Sequence, residues 1–404
     1  MNTASRLFDN PFKPGAGHMP PYLAGRKAEE REFLRLLEQT TILENLVLTG
    51  LRGVGKTVLL ETLKPLAIKE KWLWVGTDLS ETVSVSEENL SIRILTDLSV
   101  VTSALTIQIG EHSGPGFTAT SQPIVQPINY DFLRRLYDST PGIAVDKLKN
   151  VLEFVSNLIA KTDRRGIIFA YDEAQNLADN AAKEQYPLSV LLDTFQSIQR
   201  KGIPFMLALV GLPTLFPKLV EARTYAERMF RVVSLGQLNE HDRKDAITKP
   251  VEDAACPIKF SHLSVEVIAD LSGGYPYFIQ FICREVYDVW IQRLGAGRET
   301  AIPIDAIQRK LDTDFFAGRW ARATDRQREM LYVISQLESC DAEFSVQEIV
   351  DMSVRQLEKG FSNSHTNQML ATLANSGLIY KNRHGKYSFA VPLLAGFIRR
   401  QWDE

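Results

Sequence analysis

The sequence has few cysteines, no long apolar run and no excess of positive charge. Its three cysteines, Cys256, Cys283 and Cys340, are too far apart for the paired spacing of a structural zinc site. Because no apolar run is long enough to cross a bilayer and the N-terminal residues are polar, we expect no membrane span, no secretory signal and a cytoplasmic location. The net charge of −3 gives no general attraction for nucleic acid, so any DNA contact requires a local basic surface.

Internal repeats and heptads are also lacking, which excludes solenoids and coiled coils. Apolar residues make up 45% of the chain and charged residues 24%, as is usual for a globular protein. A chain of 404 residues is long enough for about two or three domains, each with its own core.

One short stretch organises the rest of the chain. Residues 50–57, Gly-Leu-Arg-Gly-Val-Gly-Lys-Thr, fit the phosphate-loop pattern Gly-x-x-x-x-Gly-Lys-Thr, between a predicted buried strand at 46–49 and a predicted helix from 58. Glycines allow successive backbone amides to face phosphate oxygens, and the helix N-terminus adds partial positive charge. We predict that Lys56 reaches the β- and γ-phosphates and that Thr57 binds Mg²⁺. The predicted nucleotide contacts of the loop are Arg52, Gly53, Val54, Gly55, Lys56, Thr57 and Val58.

A second nucleotide signature follows an apolar run at residues 166–171. This predicted strand ends in Asp172 and Glu173, and two adjacent carboxylates at the end of a buried strand are costly unless a cation or solvent meets them. We predict that Asp172 holds Mg²⁺ through water and that Glu173 polarises the attacking water. The alternative is a solvated acidic turn.

Apolar strands alternate with helical patterns through this part of the chain. Residues 205–210 form another all-apolar run, which favours a parallel sheet covered on both faces. This strand has no polar residue at its tip, and Thr214 is the nearest candidate. Residues 110–127 are rich in Gly, Pro, Ser and Thr, which predicts a loop, and residues 221–231 predict one basic helix.

The C-terminal third of the sequence has a different pattern of predicted secondary structure. A helical segment begins at Asn239, and from residue 325 three helices and a hairpin are predicted, with Ser345 and Glu348 forming a capping box. This order is the layout of a winged helix. Its predicted recognition helix offers Ser364, His365, Thr366, Asn367 and Gln368.

The predicted wing is basic. Asn and Gln can bind adenine edges, and the wing and its surroundings supply Arg355, Lys359, Lys381, Arg383, His384 and Lys386 for phosphates. Against a DNA role, the recognition helix has no Lys or Arg, and winged helices also dock proteins. Double-stranded DNA and a protein partner therefore stay open as alternatives.

In this order the motifs resemble the AAA+ ATPases, and within them the origin-recognition and initiator-like group with its archaeal-type ATPases. The resemblance implies an α/β, three-layer P-loop NTPase with a parallel sheet, a helical lid and a C-terminal winged helix. The implied segments are an arm at 1–21, a nucleotide-binding base at 22–236, a lid at 237–323 and a winged helix at 324–404.

The same resemblance implies an ATPase that uses ATP and Mg²⁺ and works as a homo-oligomer. A turn at Gly25 and Arg26 lies where such ATPases place the adenine, although an ordinary N-terminal helix is the alternative. A neighbouring subunit would supply an arginine. By position Arg228 fits this role, with Arg231 and Arg223 as alternates, so the implied catalytic set is Glu173, Lys56 and Arg228.

The lid departs from the initiator pattern. Initiators have an arginine early in this helix, whereas residues 273–277 are Gly-Gly-Tyr-Pro-Tyr, which looks like the turn of signal-transduction ATPases. By that likeness Tyr275 and Pro276 contact nucleotide phosphates. With the apolar strand tip, this departure favours a slow switch. A signalling or defence-type ATPase with a protein partner is the alternative function. A metabolic kinase is disfavoured by the lid and the winged helix.

Overall fold

The computed structural model describes residues 9–15, 17–109, 124–295, 301–383 and 385–403. They form two compact units. The sheet unit comprises residues 28–49 and 59–233, and the C-terminal unit comprises the described residues of 1–27 together with 50–58 and 234–404. The phosphate loop therefore belongs to the C-terminal unit, and the Asp172-Glu173 pair belongs to the sheet unit.

Helices and strands alternate in the first part of the chain. The strands are β1 (Asn45–Gly50), β2 (Trp72–Val75), β3 (Thr106–Ile109), β4 (Ile124–Pro127), β5 (Gly166–Tyr171), β6 (Phe205–Gly211), β7 (Phe230–Leu235), β8 (Phe344–Ser345), β9 (Ile379–Arg383) and β10 (Lys386–Phe389). The helices up to β7 are α1 (Lys27–Leu37), α2 (Lys56–Lys69), α3 (Glu87–Thr102), α4 (Tyr130–Ser139), α5 (Ala144–Ile159), α6 (Pro187–Arg200), α7 (Leu215–Ala222) and α8 (Ala226–Met229).

Helices dominate the remainder. They are α9 (Glu240–Asp253), α10 (His262–Leu271), α11 (Pro276–Gly295), α12 (Ile304–Leu311), α13 (Gly318–Trp320), α14 (Asp325–Ser335), α15 (Val346–Gln356), α16 (Asn363–Asn375) and α17 (Leu394–Asp403). Short 3₁₀ turns occur at Val83–Val85, Ala174–Asn176 and Ala181–Lys183, and Asp312–Ala317 is π-helical.

The sheet unit is built on a five-stranded sheet with the order β2-β5-β6-β1-β7, in which β2, β5, β6 and β1 pair in parallel. Every residue of β1, β5 and β6 is buried, because parallel strands are covered by helices on both faces. Leu73 and Trp74 of the edge strand β2 are only half-buried. The predicted α/β three-layer class is confirmed, and the all-apolar runs result from burial on both faces.

Two predictions about this unit need correction, and one helix was not predicted. Residues 221–231 are not one helix, because the chain leaves α7 at Arg223, forms the short α8 and enters β7 at Phe230. Within the predicted loop 110–127, residues 124–127 form β4, which pairs antiparallel with β3, while 110–123 lie outside the described residues. Helix α4, which begins at the capping residue Asn129, was not predicted.

The C-terminal unit contains helices α9 to α17 and the strands β8, β9 and β10. The predicted Ser345 capping box is present, because Ser345 Oγ accepts from the Glu348 amide and Glu348 accepts from the Ser345 amide at 2.7 Å. Strands β8, β10 and β9 form an antiparallel sheet in that order. Helix α17, which was not predicted, packs on α14 through the stacked rings of Tyr332 and Trp402, 4.4 Å apart. The four predicted segment boundaries stay a prediction.

No helix in the described part of the chain has both the length and the apolarity needed to cross a membrane.

Candidate functional site

The phosphate loop joins β1 to α2 and is shaped by its glycines. Gly53 and Gly55 have φ angles of +83° and +87°, which disfavour any residue with a side chain. Lys56, the first residue of α2, is 9% exposed, and its Nζ donates to the carbonyl oxygens of Gly50 and Leu51, both at 3.0 Å. The ammonium group is thereby held over the first two residues of the loop.

Arg26 fastens the loop to the chain that follows β7. Its guanidinium donates to the carbonyl oxygens of Val54 at 2.9 Å and Gly236 at 2.7 Å. Gly25 has a φ of +69°, which disfavours a residue with a side chain, and an added methyl group would lie 2.6 Å from Asp242 Oδ2. The structure thus gives Arg26 a contact with the loop backbone. Its predicted contact with the nucleotide stays a prediction.

The start of α11 is hydrogen-bonded to the loop. The Tyr277 amide donates to the Gly53 carbonyl oxygen at 3.1 Å. Pro276 is the first residue of α11. Proline is well suited to this position, because the N–H that it lacks would have no partner inside the helix. Tyr275, just before it, is partly buried, and this burial raises the pKa of its hydroxyl. The predicted phosphate contacts Tyr275 and Pro276 are therefore neighbours of a residue that touches the loop.

The turn before α11 is itself held by α9. Gly274 has φ +74°, and an added methyl group would lie 2.1 Å from Arg243 Nε. Arg243 Nε donates to the Leu238 carbonyl oxygen at 2.6 Å, and the Leu238 amide donates to the Gly274 carbonyl oxygen at 2.8 Å. These bonds fix the backbone of the turn that precedes α11.

In the sheet unit, Asp172 and Glu173 follow β5 directly. Asp172 is 4% exposed, and its Oδ1 accepts from the Glu173 amide at 2.7 Å. Its carbonyl oxygen accepts from the Leu79 amide at 2.9 Å. Glu173 is exposed and has a φ of +52°, a left-handed conformation that is unusual for a residue with a side chain. Such strain is concentrated at functional sites, which fits the role predicted for Glu173.

A residue without a predicted role connects this acid to the tip of β6. The Gln175 amide nitrogen donates to the Glu173 carboxylate, and Gln175 Oε1 accepts from the Leu212 amide at 3.0 Å. Thr214, predicted as the nearest polar residue to the tip, lies in the turn before α7, and no side-chain cap bond is made there. The sequence shows that Gln175 follows the acidic pair closely. It does not show that the Gln175 side chain bonds to Leu212 at the end of β6.

The three arginines proposed for a neighbouring site have different surroundings. Arg223 forms a two-pronged ion pair with Asp193, at 2.8 and 2.7 Å, which lowers the pKa of that carboxyl. Arg231 pairs with Glu32 at 2.9 Å. Arg228 is exposed on α8, and within the described ranges it forms no ion pair.

The predicted metal ligands are of the right chemical type. Nowhere in the described chain do three His, Cys, Asp or Glu side chains gather as a metal cluster. Mg²⁺, however, commonly takes only one or two protein oxygens and fills its remaining positions with water and phosphate. The Thr57 hydroxyl, in the first turn of α2, and the buried Asp172 carboxylate are oxygen donors that fit this ion.

The predicted recognition surface of the winged helix is only partly available. On α16 the side chains of Ser364, His365, Asn367 and Gln368 are exposed. Thr366 is fully buried, and its hydroxyl has no hydrogen-bond partner among the described residues. The inclusion of Thr366 in the recognition set was therefore wrong, because its position on the helix faces the core.

Two of the basic side chains predicted for the wing form ion pairs with glutamates. Arg383 pairs with Glu343 at 2.8 Å, and Lys386 lies 3.6 Å from Glu348. Lys381 is exposed. His384, also predicted here, lies outside the described residues. The sequence could not reveal these pairs, because the partners are about forty positions apart in the chain. The glutamates come close to the β9–β10 hairpin because β8 pairs with β10.

The family match covers a minor part of the chain, at its C-terminal end. A family model described as "Domain of unknown function (DUF8462)" matches residues 313–398. No curated protein matches the chain.

Solved structures are similar over nearly the whole chain. The ADP form of the Aeropyrum pernix ORC2 protein is 15% identical and has a TM-score of 0.53, with 96% of this chain and 97% of that chain covered. The Aeropyrum pernix ORC1 protein in complex with DNA is also 15% identical, with 94% of each chain covered and a TM-score of 0.45. Cdc6p from Pyrobaculum aerophilum is 14% identical, with 97% of each chain covered and a TM-score of 0.47. At such low identity the similarity concerns the fold alone.

Proposed function

We propose that this chain, which has the fold of the Orc1/Cdc6-like AAA+ ATPases, is a nucleotide-dependent switch. It binds ATP with Mg²⁺, hydrolyses it slowly and acts on DNA as a homo-oligomer. The observation that carries this proposal is the phosphate loop, in which two left-handed glycines precede Lys56 at the start of α2. Backbone of this shape, followed by a helix N-terminus, is suited to bind phosphate.

Binding rests on the loop and its lysine. The ammonium of Lys56 donates to two carbonyl oxygens, and phosphate oxygens are stronger partners for a charged donor. Lys56 therefore exchanges these carbonyls for the β- and γ-phosphates when ATP binds. Thr57 and, through water, Asp172 would hold Mg²⁺, which would offset the charge of the phosphates. Arg52, Val54 and Val58 complete the loop contacts.

Hydrolysis rests on Glu173, which orients a water molecule and accepts its proton. Arg228 of a neighbouring copy then stabilises the charge that develops on the transferred phosphate. Two observations support a slow rate. The tip of β6 is Gly211-Leu212, without a polar side chain, and α11 begins with Pro276-Tyr277 where an arginine would otherwise stand.

Two variants test this function. Lys56→Ala should abolish the heat of ATP binding in calorimetry, because the loop loses its charged donor. Glu173→Gln should bind ATP as the wild type does and lose turnover, because an amide cannot accept the proton. Thermal unfolding of both variants controls for folding. Normal ATP binding by Lys56→Ala would show that the phosphate loop has been misassigned.

A DNA role is supported by the exposed polar residues of α16 and by exposed Arg355, Lys359 and Lys381 nearby in sequence. Binding of this kind weakens steeply as salt rises, because phosphate contacts release counterions. A fluorescent duplex titrated at several salt concentrations measures that slope for the full chain.

A protein partner is the second candidate, as in a signalling or defence-type ATPase. It is favoured by the Arg383–Glu343 pair, which removes charge from the wing, and by Val354 on α15, which is 69% exposed. Absence of duplex binding at low salt, together with a stoichiometric protein that co-purifies, would favour this second function over the first.

A further inference from the structure

Gln175 occupies a position that links two structural elements of the sheet unit. It lies in the 3₁₀ turn Ala174–Asn176, directly after the acidic pair. One end of its amide donates to the Glu173 carboxylate, and the other accepts from the Leu212 backbone amide at 3.0 Å. Both polar ends of the side chain are therefore used, and they connect the acid after β5 to the tip of β6.

The backbone of Gln175 is held as well. Lys218 of α7 donates from Nζ to the Gln175 carbonyl oxygen at 2.6 Å. Lys218 is partly buried, and burial lowers its pKa, so the donor is largely shielded from competing water. Gln175 is thus fixed at its main chain and at both ends of its side chain.

The space around the amide is tight. An added methyl group on Gly211 would lie 2.5 Å from Gln175 Oε1 and 3.0 Å from Leu215 Cδ2. The glycine at the end of β6 therefore leaves just enough room for the amide. At the other end of the bond, Glu173 has a left-handed backbone conformation. This conformation fixes the direction in which its side chain begins.

We propose that Gln175 is a positioning residue for ATP hydrolysis, which holds the Glu173 carboxylate and ties it to the turn between β6 and α7. This inference rests on the proposed role of Glu173. A glutamine after the acidic pair thereby supplies the polar contact that the apolar tip of β6 lacks.

The first test replaces the amide by an apolar group of similar size. In Gln175→Leu we expect the kcat of the full chain to fall about 10- to 100-fold, because Glu173 loses its anchor. The dissociation constant for ATP, from calorimetry, should not change. A purely structural role would weaken ATP binding and lower the temperature of thermal unfolding together with kcat. A loss confined to kcat therefore identifies a positioning role.

Gln175→Glu sharpens the same test. A glutamate at this position keeps the size of the side chain but has no N–H to donate to the Glu173 carboxylate. We therefore expect the kcat of this variant to fall at least as far as that of Gln175→Leu, again with unchanged ATP binding.

A second route to the same site uses Gly211. Gly211→Ala should displace the Gln175 amide without altering either Gln175 or Glu173, and should reproduce the loss of kcat with unchanged ATP binding. The matched control is Gly318→Ala, whose added methyl group meets no atom within 4 Å. It should leave kcat and ATP binding as in the wild type.

The inference is overturned if Gln175→Leu keeps the wild-type kcat while Glu173→Gln is inactive. It is also overturned if Gly211→Ala, folded by thermal unfolding, hydrolyses ATP like the wild type. Turnover by Glu173→Gln, or absence of ATP binding by the wild type, would instead refute the proposed function, so the two failures are distinguishable.

Discussion

The Tyr277 amide donates a hydrogen bond to the Gly53 carbonyl oxygen at 3.1 Å. The Tyr277 ring meets Phe315 edge-on, 5.2 Å between centroids. The next residue, Phe316, stacks on Phe397 of α17 at 5.2 Å. Contacts therefore run from the phosphate loop through α11 and the π-helical segment to the last helix, all within the C-terminal unit.

Gly53→Ala should damage this link. An added methyl group would lie 3.2 Å from Tyr277 Cβ, at a φ of +83°. The matched control is Gly202→Ala, which has a φ of +79° and no atom within 4 Å. The left-handed backbone should cost both variants about 1 kcal/mol in free energy of unfolding by urea. Only Gly53→Ala should lose more than this and also bind ATP more weakly. Equal losses in both variants would contradict the link.

Arg228→Ala should lose turnover, by a factor on the order of 10³, while ATP binding persists. Because the arginine acts on a neighbouring copy, mixing Arg228→Ala with Glu173→Gln should restore part of the activity, since mixed oligomers contain complete sites. The measurement is phosphate release as a function of mixing ratio. A mixture no more active than its components would exclude Arg228 as the arginine supplied by a neighbour.

Two arginines serve as controls for this experiment. Arg223→Ala leaves Asp193 without its two-pronged partner, so it should lower the free energy of unfolding by about 1–3 kcal/mol. Arg231→Ala removes an exposed pair with Glu32 and should change stability by less than about 1 kcal/mol. Rescue by mixing should be specific to Arg228.

Glu343→Gln should strengthen DNA binding if the winged helix binds duplex DNA. The change frees Arg383 from its ion pair, and each additional phosphate contact steepens the dependence of log affinity on log salt by about 0.9. Glu338→Gln makes the same change of charge, and Glu338 has no ion pair in the described part of the chain. A gain of equal size in both variants would show that net charge alone, and not Arg383, was responsible.

Asp97 should make stability depend on pH. It is 7% exposed, lies 3.6 Å from Arg93, and burial raises its pKa from 3.8 to about 6. Because the folded state holds this proton more tightly than the unfolded chain, the contribution to stability is complete below pH 4 and is lost as pH rises through 6. Asp97→Asn should therefore be more stable than the wild type at pH 7–8, by at most about 3 kcal/mol, and equal to it near pH 4. Urea unfolding at both pH values measures the difference, and a constant difference would contradict the assignment.

Local signals in the sequence predicted much of the fold. The Ser345 capping box was correct because both of its bonds join residues three positions apart. Strands β1, β5 and β6 were predicted from apolar runs, which burial on two faces requires. The β3–β4 hairpin and the break at Arg223 were missed, because a two-stranded hairpin has little apolar pattern and Arg223 leaves the helix to meet Asp193.

The sequence by itself determined the phosphate loop, the acidic pair after β5 and the alternation that builds a parallel sheet, because each depends on residues adjacent in the chain. Only the tertiary structure decided which side chains are hydrogen-bonded, ion-paired or buried, and which residues are their partners. Gln175 reaches Leu212, Glu343 neutralises Arg383 and Thr366 turns inward, all through contacts between distant positions. Such contacts follow from how elements pack, and packing is fixed by the shapes and registers of whole elements, which no short pattern encodes.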